Sequence, residues 1–555
     1  MRNILVIALF QLFVWNAGAQ HLSQAGKVEK ITSAAIKRSY QSSVKISPYD
    51  TLKRRPVNGV FSGVVVSAEG HVLTAAHATK PKRAYQLTFP DGRKAIAMGL
   101  GRIAVKNKEY SMDLAMLKIT EKGSWPFAEL GSSKQMKIYQ PAISISGPGS
   151  FSNKTPNVRI GRLTNVDFED GYFETTCKME PGDSGGPVFD ADGRVLGIHS
   201  FIKVGEESNF EIPVDLFRKY WSALNVAEDY KSLPAAESFT EVPGLKNSVT
   251  ISHIQDLLKV PSKLTTSTYR LKSSVKGEFT RALATLVSYN HEGRNGVYLL
   301  SKSSLLGDTV MVLNQDRWEP LKVVTRDEDN DLVLLQAVSG PGMAIQLGSV
   351  KDTLKVGFDE LGKFLVSNLD KGRSYVSSLG SRFIDMPLKK SNIGYFGANA
   401  TFIKEMITIT DISRGSPASR YLKLKDQVTS INGTPVSRPE HYGAELSKFK
   451  PGDSITVDVI REDKPMQVSL RLTDYSKSGS HVADRFDGGK SERSTGFSKV
   501  LIHDAAIFPE DCGGPVWDES GNFYGINIAR HSRTSAVIMP ASVITKFITK
   551  YVQTI

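Results

Sequence analysis

The chain has 555 residues, which is too many for one domain and predicts three or four. Hydrophobic residues make up 40% and charged residues 23%, as in ordinary soluble globular proteins. The 70 Lys and Arg exceed the 57 Asp and Glu, and the resulting net charge of +13 can favour membranes or nucleic acid. Because the basic residues are interleaved with acidic ones along the chain, they indicate general solubility instead, and we expect no nucleic-acid partner.

The first twenty residues, MRNILVIALFQLFVWNAGAQ, have the pattern of a secretory signal peptide. Arg2 gives a positive start, the run from Ile4 to Trp15 is apolar, and Ala17–Ala19 is a small-residue cleavage pattern. The apolar run is short for a membrane span, and an uncleaved anchor is the alternative. We expect a signal peptide at residues 1–19, no membrane span after its removal, and a secreted or periplasmic protein.

Three segments carry the residue types of a nucleophilic serine site. The segment VFSGVVVSAEGHVLTAAHA reads as a hairpin of two apolar strands with His77 just past its end. Asp113 begins the strand-like run DLAMLKI, and Ser184 lies in the glycine-rich turn PGDSGGP. A serine hydroxyl is a weak nucleophile that needs a histidine base, and that base needs a carboxylate to hold its tautomer. The amides of Gly182 and Ser184 would stabilise the developing oxyanion, and glycine at position 182 allows the backbone conformation that this requires.

The motifs TAAH, DLAML and GDSGGP, in the order His77, Asp113 and Ser184, resemble those of chymotrypsin-fold serine proteases of the HtrA/Deg type. The resemblance covers residues 60–217. It implies two six-stranded antiparallel β-barrels with the active site in the cleft between them. It also implies an ATP-independent endopeptidase acting on unfolded or specific exported proteins, with no metal and no organic cofactor. HtrA-like proteins often form trimers, so a homo-oligomer is left open.

The segment GIHSFI lies near where a substrate strand docks in that family. We expect Gly197, Ile198, His199 and Ser200 to line the primary substrate pocket. His199 departs from HtrA-like sequences, which often carry a smaller polar residue at that point. The expected preference is for a small to medium aliphatic residue of the substrate.

The motifs recur in the second half of the chain, which predicts an internal repeat of the whole protease domain. NDLVLLQA repeats MDLAMLKI, so Asp331 corresponds to Asp113. PEDCGGPVWD repeats PGDSGGPVFD, so Cys512 corresponds to Ser184. Cys177 and Cys512 are the two cysteines of the chain, too few for a disulfide scaffold, and we expect both to be free thiols.

The second copy is predicted to be inactive, although a second, thiol nucleophile at Cys512 is the open alternative. We place the end of its corresponding strand pair, GVYLLSKSSLLGDTVM, at Val310-Met311, where the sequence has no histidine. His291 precedes the first of these strands, and His503 matches a strand position away from the nucleophile turn. Glu510 replaces the oxyanion glycine with bulk and negative charge, and a thiol without a cationic partner stays mostly protonated.

The distance from the aspartate motif to the nucleophile motif is 110 residues longer in the second copy, enough for a small inserted domain. The segments IGYFGANA, RGSPASRYL, INGTPV and KPGDSITVDVIR resemble those of a PDZ domain. Backbone amides of the loop Gly394, Tyr395, Phe396 and Gly397 would capture a peptide C-terminus while the next strand adds the peptide to the sheet. A small β domain without a peptide groove is the alternative.

The predicted fold class is mainly β, with two chymotrypsin-like double β-barrel domains and a PDZ-like α+β domain inserted in the second. After the signal peptide, we assign an N-terminal helix or linker to 20–49, an active trypsin-like domain to 50–225 and a linker to 226–269. A degenerate trypsin-like domain is assigned to 270–387 and 476–555, and the PDZ-like domain to 388–475.

The predicted function is an exported HtrA/Deg-like serine endopeptidase of envelope protein quality control, working through a Ser-His-Asp acyl-enzyme. The alternative is a non-enzymatic protein-binding or chaperone-like scaffold with a latent triad.

Overall fold

The computed structural model describes most of the chain from residue 23 onwards. The described residues are 23–57, 59–106, 111–151, 155–167, 171–245, 249–258, 262–291, 294–338, 342–347, 356–386, 394–403, 405–413, 415–437, 439–446, 448–473 and 481–554. The predicted signal peptide at 1–19 lies outside them. Within these ranges, no helix is both long enough and apolar enough to cross a bilayer.

An amphipathic helix, α1 (Gln24–Ser39), precedes the first barrel. The hydroxyl of Ser23 caps its N-terminus by accepting a hydrogen bond from the amide of Gly26 at 2.9 Å. The helix also contacts the second half of the chain, because Oε1 of Glu29 accepts a hydrogen bond from the amide of Phe364 at 2.6 Å. Its buried face has helical spacing and comprises Ala25, Val28, Thr32, Ala35 and Ile36.

The first barrel is formed by strands in the order β6-β5-β1-β3-β4-β7, and β6 also pairs with β7, which closes the ring. Its strands are β1 (Ser43–Asp50), β2 (Arg55–Pro56), β3 (Phe61–Val65), β4 (His71–Ala75), β5 (Ala84–Thr88), β6 (Lys94–Ile103) and β7 (Leu114–Ile119). β2 extends β1 as a short hairpin. The sequence analysis assigned residues 20–49 to an N-terminal helix or linker, but β1 begins at Ser43 and belongs to this barrel. Its alternating residues Val44 and Ile46 are buried in the barrel core.

A second closed barrel follows, with strand order β10-β13-β12-β11-β8-β9. Its strands are β8 (Pro141–Ser146), β9 (Asn157–Asn165), β10 (Phe173–Thr175), β11 (Pro187–Phe189), β12 (Val195–Ile202) and β13 (Asn209–Pro213). Two short helices, α2 (Val214–Lys219) and α3 (Trp221–Leu224), lead to β14 (Asp229–Tyr230), which pairs with β6 of the first barrel. The glycine-rich turn that carries Ser184 connects β10 to β11.

The second copy begins with a short helix and an eight-stranded sheet of order β19-β18-β15-β16-β17-β21-β20, with β22 paired to β16. The elements are α4 (Ser262–Thr265), β15 (Thr268–Val275), β16 (Glu278–His291), β17 (Arg294–Lys302), β18 (Val310–Asn314), β19 (Arg317–Leu321), β20 (Val323–Asp327), β21 (Leu332–Gln336) and β22 (Ile345–Gln346). Two further strands, β23 (Phe364–Asn368) and β24 (Ser374–Met386), come before the chain enters a separate compact unit.

That compact unit comprises residues 386–489 and 495–498, a longer span than the 388–475 assigned from the sequence. Its strand order is β25-β26-β27-β29-β30, so β25 is an edge strand. The elements are β25 (Ala398–Ile403), β26 (Met406–Ile412), β27 (Gln427–Ile431), β28 (Thr434–Pro435), α5 (Pro439–Leu446), β29 (Ser454–Arg461) and β30 (Lys464–Arg471). The unit has a core of its own, which includes Phe396, Ile407, Val428 and Val457.

The chain then completes a closed barrel with strand order β23-β24-β31-β34-β33-β32. Its remaining elements are β31 (Phe497–His503), β32 (Pro515–Asp518), β33 (Phe523–Ser532), β34 (Ser535–Pro540) and the helix α6 (Ala541–Val552). β24 precedes the compact unit and β31 follows it, yet the two strands are neighbours in one barrel. The prediction of a mainly β fold built from barrels is confirmed.

Candidate active site

His77 and Asp113 are brought together by the pairing of β4 with β7. Ala75, the last residue of β4, pairs with Leu114, the first residue of β7. Asp113 therefore lies beside the 3₁₀ turn that follows β4 and carries His77. Asp113 Oδ1 accepts a hydrogen bond from the amide of His77 at 2.8 Å, and Oδ2 lies 2.7 Å from Nδ1 of the imidazole. A carboxylate opposite Nδ1 requires the proton there, which leaves Nε2 free to act as a base.

The carboxylate of Asp113 is held from the other barrel as well. Ser200 on β12 donates a hydrogen bond from its hydroxyl to Oδ2 of Asp113 at 2.6 Å. The side chain of Asp113 is 11% exposed, whereas that of His77 is 49% exposed, so the imidazole faces the solvent-filled cleft. Burial lowers the pKa of His77, but the hydrogen bond and the charge of Asp113 raise it by more, so the net shift of the pKa is upward.

The Ser184 turn packs directly against the strands that lead to His77. The amide of Ser62 on β3 donates to the carbonyl of Ser184 at 2.9 Å, and the amide of Gly185 donates to the carbonyl of His199 at 2.8 Å. Gly185 has a φ of +82°, and a Cβ there would lie 2.0 Å from Oγ1 of Thr74 on β4. Only glycine allows this approach. Among the described residues, none forms a hydrogen bond with the hydroxyl of Ser184, which is common for a nucleophile without substrate.

The backbone around Gly182 presents two amides that the fold does not use. Gly182 has a φ of +105°, and a Cβ there would lie 2.3 Å from the amide nitrogen of Gly149. The amide of Asp183 donates to the carbonyl of Glu180 at 3.0 Å. In the described chain, the amides of Gly182 and Ser184 on either side of it donate to no protein acceptor. Two free N–H groups two residues apart are the arrangement that an oxyanion hole needs.

The acidic residue of this turn anchors it in the barrel. Asp183 is fully buried and pairs with the buried guanidinium of Arg159 at 3.0 Å. Oδ1 of Asp183 also accepts a hydrogen bond from Ser146 at 2.7 Å, and Oδ2 accepts one from the amide of Glu180 at 2.9 Å. Every oxygen of this buried carboxylate is thus satisfied, as a buried charge requires. Arg159 was not singled out in the sequence, because a lone arginine in a strand carries no motif.

The four residues expected to line the substrate pocket lie inside the second barrel. Gly197, Ile198 and His199 are buried, and Ser200 uses its hydroxyl to hold Asp113. Nε2 of His199 lies 2.7 Å from the hydroxyl of Ser144, and burial lowers the pKa of His199 to about 3, so this imidazole is neutral. The next residue, Phe201, is the first on this strand with an exposed side chain.

Comparison with known proteins agrees with this geometry. Residues 61–198 match the family model of the trypsin-like peptidase domain, and residues 384–472 match that of the PDZ domain. Serine protease HTRA1 of Xenopus laevis is 30% identical over 205 residues, which are 35% of this chain and 42% of the relative. Residues of the trypsin-like segment are therefore similar to HtrA-type serine proteases, and residues 384–472 are similar to a PDZ domain.

Other relatives agree in the same region. A probable periplasmic serine endoprotease DegP-like of Chlamydia muridarum (strain MoPn / Nigg) is 34% identical over 149 residues, 26% of this chain and 28% of the relative. The chain therefore spans less than half the length of these curated relatives. The solved structure of the HtrA-type protease AlgW with tripeptide is 15% identical, covers 80% of this chain and 96% of that one, and gives a TM-score of 0.30, too low to carry an argument.

The second copy repeats the backbone of the trypsin-like domain around its own aspartate. The amide of Ser303 donates to the carbonyl of Asp331 at 2.8 Å, as that of Ala76 does to Asp113 at 3.0 Å. The amide of Ser304 donates to Oδ1 of Asp331 at 2.7 Å, as that of His77 does to Asp113. Ser304 therefore occupies the position of the histidine. The strand pair of the second copy ends at residue 302, so the placement of its end at Val310-Met311 was wrong, although the position does lack a histidine.

The remaining hydrogen-bond donors around Asp331 explain why the end of this strand pair was placed wrongly from the sequence. The hydroxyl of Ser304 donates to Oδ2 of Asp331 at 2.9 Å, and Nζ of Lys302 donates to the same oxygen at 2.6 Å. Lys302 is buried and also donates to the carbonyl of Ile528 at 2.7 Å, at the position that matches Ser200. The lysine takes over the contact that Ser200 makes in the first copy. A buried lysine breaks the apolar pattern of β17, so the strand end is not recognisable in the sequence.

Among the described residues, Cys512 has no hydrogen bond to a histidine, and its turn does not repeat the two unused amides found around Ser184. Its sulfur is buried, and within the described chain its one hydrogen-bond partner is the hydroxyl of Ser491 at 3.9 Å. Glu510 lies in a 3₁₀ turn, and the amide of Cys512 donates to the carbonyl of Pro509 at 3.2 Å, so this amide is not free. Burial raises the pKa of Cys512 to about 11, although the charge of Lys302 opposes the shift.

The histidines nearest in sequence do not supply the missing base. His503 is buried on β31, where Nδ1 lies 2.9 Å from the hydroxyl of Ser377, and burial lowers its pKa to about 3. His291 ends β16 and pairs with Arg294, at the opposite end of β17 from Ser304. Both cysteines of the chain, Cys177 and Cys512, are free and buried, as predicted.

In the PDZ domain, only some backbone amides of the loop predicted to bind a carboxylate are left without a protein acceptor. The amide of Gly394 donates to the carbonyl of Phe449 at 2.7 Å, and that of Tyr395 donates to the carbonyl of Thr473 at 2.7 Å. Among the described residues, the amides of Phe396 and Gly397 have no protein acceptor. Of the four predicted residues, two thus serve the fold and two remain for a ligand.

Alkylation of the native protein tests the inert second copy. Because Cys512 is buried and its pKa is raised to about 11, iodoacetamide at pH 8 should modify it at least about a hundredfold more slowly than an exposed thiol. Unfolded protein, as the control, should be alkylated at both Cys177 and Cys512. Peptide mapping by mass spectrometry gives the rate for each thiol. Fast modification of native Cys512 would contradict this description of the site.

Proposed function

We propose that this protein is a serine endopeptidase in which His77, Asp113 and Ser184 act as a catalytic triad. The observation that carries the proposal is the pair of unused amides at Gly182 and Ser184, next to a histidine whose Nδ1 is held by a buried carboxylate. His77 would take the hydroxyl proton as Ser184 attacks the scissile carbonyl, then return it to the leaving amine. The two amides would bind the oxyanion, and water would release the acyl-enzyme.

The substrates that fit this proposal are unfolded or specific exported proteins. One similar protein is named a probable periplasmic serine endoprotease, which supports export and a role in envelope protein quality control. The proposal therefore includes a signal peptide at 1–19, a secreted or periplasmic protein, and a homo-oligomer as an assembly to be tested. It also includes an inactive second copy around Asp331, Glu510 and Cys512.

The PDZ domain would add recognition of peptide C-termini. β25 is an edge strand whose side chains are mostly exposed, so its backbone can pair with an added peptide strand. The free amides of Phe396 and Gly397 lie immediately before this strand. They would donate hydrogen bonds to the terminal carboxylate of a peptide that pairs with β25. Tyr442 of α5 donates to the carbonyl of Ala398 at 3.0 Å, which sets this helix beside the same strand.

Replacement of the nucleophile is the direct test of the proposal. Ser184→Ala should reduce hydrolysis of labelled casein by about a thousandfold or more, because the acyl-enzyme cannot form. Ser304→Ala is the matched control, since Ser304 occupies the histidine position of the inactive copy, and it should leave the rate unchanged. The measurement is the initial rate of casein hydrolysis by each purified mature variant and by the wild type. Casein hydrolysis that survives in Ser184→Ala at several per cent of the wild-type rate would overturn the proposal, because another nucleophile would then be at work. No hydrolysis by the wild type would favour a scaffold with a latent triad.

The pH dependence of kcat/KM should report His77. The imidazole must be neutral to accept a proton, so activity is lost as the pH falls through its pKa. Because the net shift of that pKa is upward, the midpoint of the acid limb should lie above the ordinary value of 6.5. In Asp113→Asn the raising contribution is removed, and the midpoint should move down as the rate falls. A wild-type midpoint well below 6.5 would show that Asp113 does not act on His77 in solution.

Carboxylate capture by the PDZ domain can be measured without cleavage in the Ser184→Ala protein. A peptide that binds should lose at least about tenfold in affinity when its C-terminal carboxylate is amidated, because the charge-assisted bonds to two amides are lost. Titration calorimetry with the matched pair of peptides gives the two affinities. Equal affinities would exclude carboxylate capture by this loop.

A further inference from the structure

The second copy presents an unusual buried segment to the first. This segment, Arg530–Thr534, comprises the last three residues of β33 and the two residues that connect it to β34, and is called the 530–534 segment. Arg530, His531, Arg533 and Thr534 are all buried, with at most 1% exposure. Connections between strands normally lie at the surface, and arginine is rarely buried without partners. Besides partners in the second copy, the segment has hydrogen-bond partners in loops of the first copy that lie before and after Ser184 in the chain.

The two arginines of the segment hold the loop that connects β12 to β13 in the first copy. Nη1 of Arg533 donates to the carbonyl of Val204 at 3.0 Å, and Nη2 donates to the carbonyl of Gly205. Nη2 of Arg530 pairs with Oε2 of Glu206 at 2.9 Å. This loop directly follows the strand that carries Ser200.

A lysine of the first copy makes the reverse contact. Lys178 lies six residues before Ser184 and is buried. Its Nζ donates to the carbonyl of Asp504 at 2.8 Å and to the hydroxyl of Tyr375 at 3.3 Å, both in the second copy. It also lies 3.5 Å from the carboxylate of Glu206. The backbone that enters the nucleophile turn is therefore tied to the second copy at a charged, buried contact.

Thr534 is connected to the turn that contains Gly182 through the carboxylate of Glu180. Oγ1 of Thr534 donates to Oε2 of Glu180 at 3.0 Å, and Oε1 of the same carboxylate accepts a hydrogen bond from the amide of Ser150 at 3.3 Å. Nε2 of His531 lies 3.3 Å from the carbonyl of Ser150, so the segment holds both sides of this residue. Glu180 thus bridges the second copy to the loop that contains Gly149.

The next bond in this series sets the direction of an oxyanion-hole amide. The amide of Gly149, the residue before Ser150, donates to the carbonyl of Pro181 at 2.7 Å. That carbonyl and the N–H of Gly182 belong to one planar trans peptide, so they point in opposite directions. Holding the carbonyl of Pro181 on Gly149 therefore holds the Gly182 N–H on the other side of the peptide plane, where no protein acceptor takes it.

We propose that the 530–534 segment of the catalytically inactive copy positions the oxyanion hole of the active copy, with Thr534 acting through Glu180 as the connecting positioning residue. The inference rests on the proposed serine endopeptidase function. The second copy acts indirectly: its hydrogen bonds hold Glu180 and Ser150, whose neighbours Pro181 and Gly149 are joined by a backbone hydrogen bond. A peptide flip at 181–182, which would remove one oxyanion donor, becomes unfavourable when these bonds are in place.

The test separates positioning of the oxyanion hole from general stability of the protein. Thr534→Val keeps the shape and removes the hydrogen bond to Glu180, whereas Thr534→Ser keeps the hydroxyl. Thr285→Val is the matched control, because Thr285 is a buried threonine of the second copy whose hydroxyl donates to the carbonyl of Gly513 at 2.7 Å, away from the first copy. Each variant is purified as the full mature chain, and kcat and KM for casein are measured below its unfolding temperature.

We expect kcat of Thr534→Val to fall about tenfold or more, because loss of one oxyanion donor costs a factor of about 10²–10³ and mispositioning costs part of that. KM should change by less than about twofold, Thr534→Ser should recover most of the rate, and Thr285→Val should keep the wild-type kcat. An unchanged kcat in Thr534→Val, or an equal loss in Thr285→Val, would overturn the proposal.

A variant in the first copy keeps the proposal testable if Thr534→Val does not fold. Glu180→Gln leaves one oxygen for two donors, so it should lower kcat in the same way, and adding Thr534→Val to it should cost little more. An unchanged kcat in Glu180→Gln would equally overturn the positioning role. If the wild-type protein itself shows no hydrolysis, the proposed function fails; if the wild type is active and these variants match it, only the present inference fails.

Discussion

The buried carboxylate of Asp113 is the contact on which the active site depends. It accepts hydrogen bonds from the backbone and imidazole of His77 on the first barrel and from Ser200 on the second, so one side chain links both barrels. A buried carboxylate is stable only when its oxygens have such donors. The same requirement fixes the tautomer of His77, and thereby couples the stability of the barrel interface to the chemistry of the cleft.

The second copy shows which part of this arrangement the fold itself needs. The amide of Ser303 donates to the carbonyl of Asp331, and the amide and hydroxyl of Ser304 donate to its carboxylate. Lys302 supplies the donor that Ser200 provides in the first copy. The aspartate motif therefore remains as a structural element after the histidine is gone. Catalysis requires an exposed base and two unused amides, and these are the features that Ser304 and the 3₁₀ turn at Glu510 remove.

The second copy, for which we propose no catalytic role, makes other contacts. Its buried nucleophile turn packs on its own strands, since the amide of Leu283 donates to the carbonyl of Cys512 at 3.0 Å, as that of Ser62 does to Ser184. Its 530–534 segment instead buries two arginines against the first copy. Such a charged interface is stable only with well-placed partners.

Much of this could be predicted from the sequence, because the motifs around Asp113 and Ser184 combine chemistry with glycine geometry in few residues. The repeat and the insertion followed from the same motifs. The sequence did not reveal Ser304, because Lys302 interrupts the apolar alternation of β17 and the end of that strand is lost from the pattern. It also did not reveal Arg159, Lys178 or Arg533, since their roles come from contacts across the fold rather than from neighbours in the chain. Which amides of the loop at Gly394 are free likewise depends on distant carbonyls.

On the proposed function, this chain has one working nucleophile, Ser184, and one copy that only supports it. The most direct measurement is to label the native wild-type protein with a fluorophosphonate, which reacts with activated serines, and to locate the adduct by peptide mass spectrometry. We expect a single adduct, at Ser184, in the native protein and none after unfolding. An adduct on any serine of the second copy, or no adduct at Ser184, would contradict it.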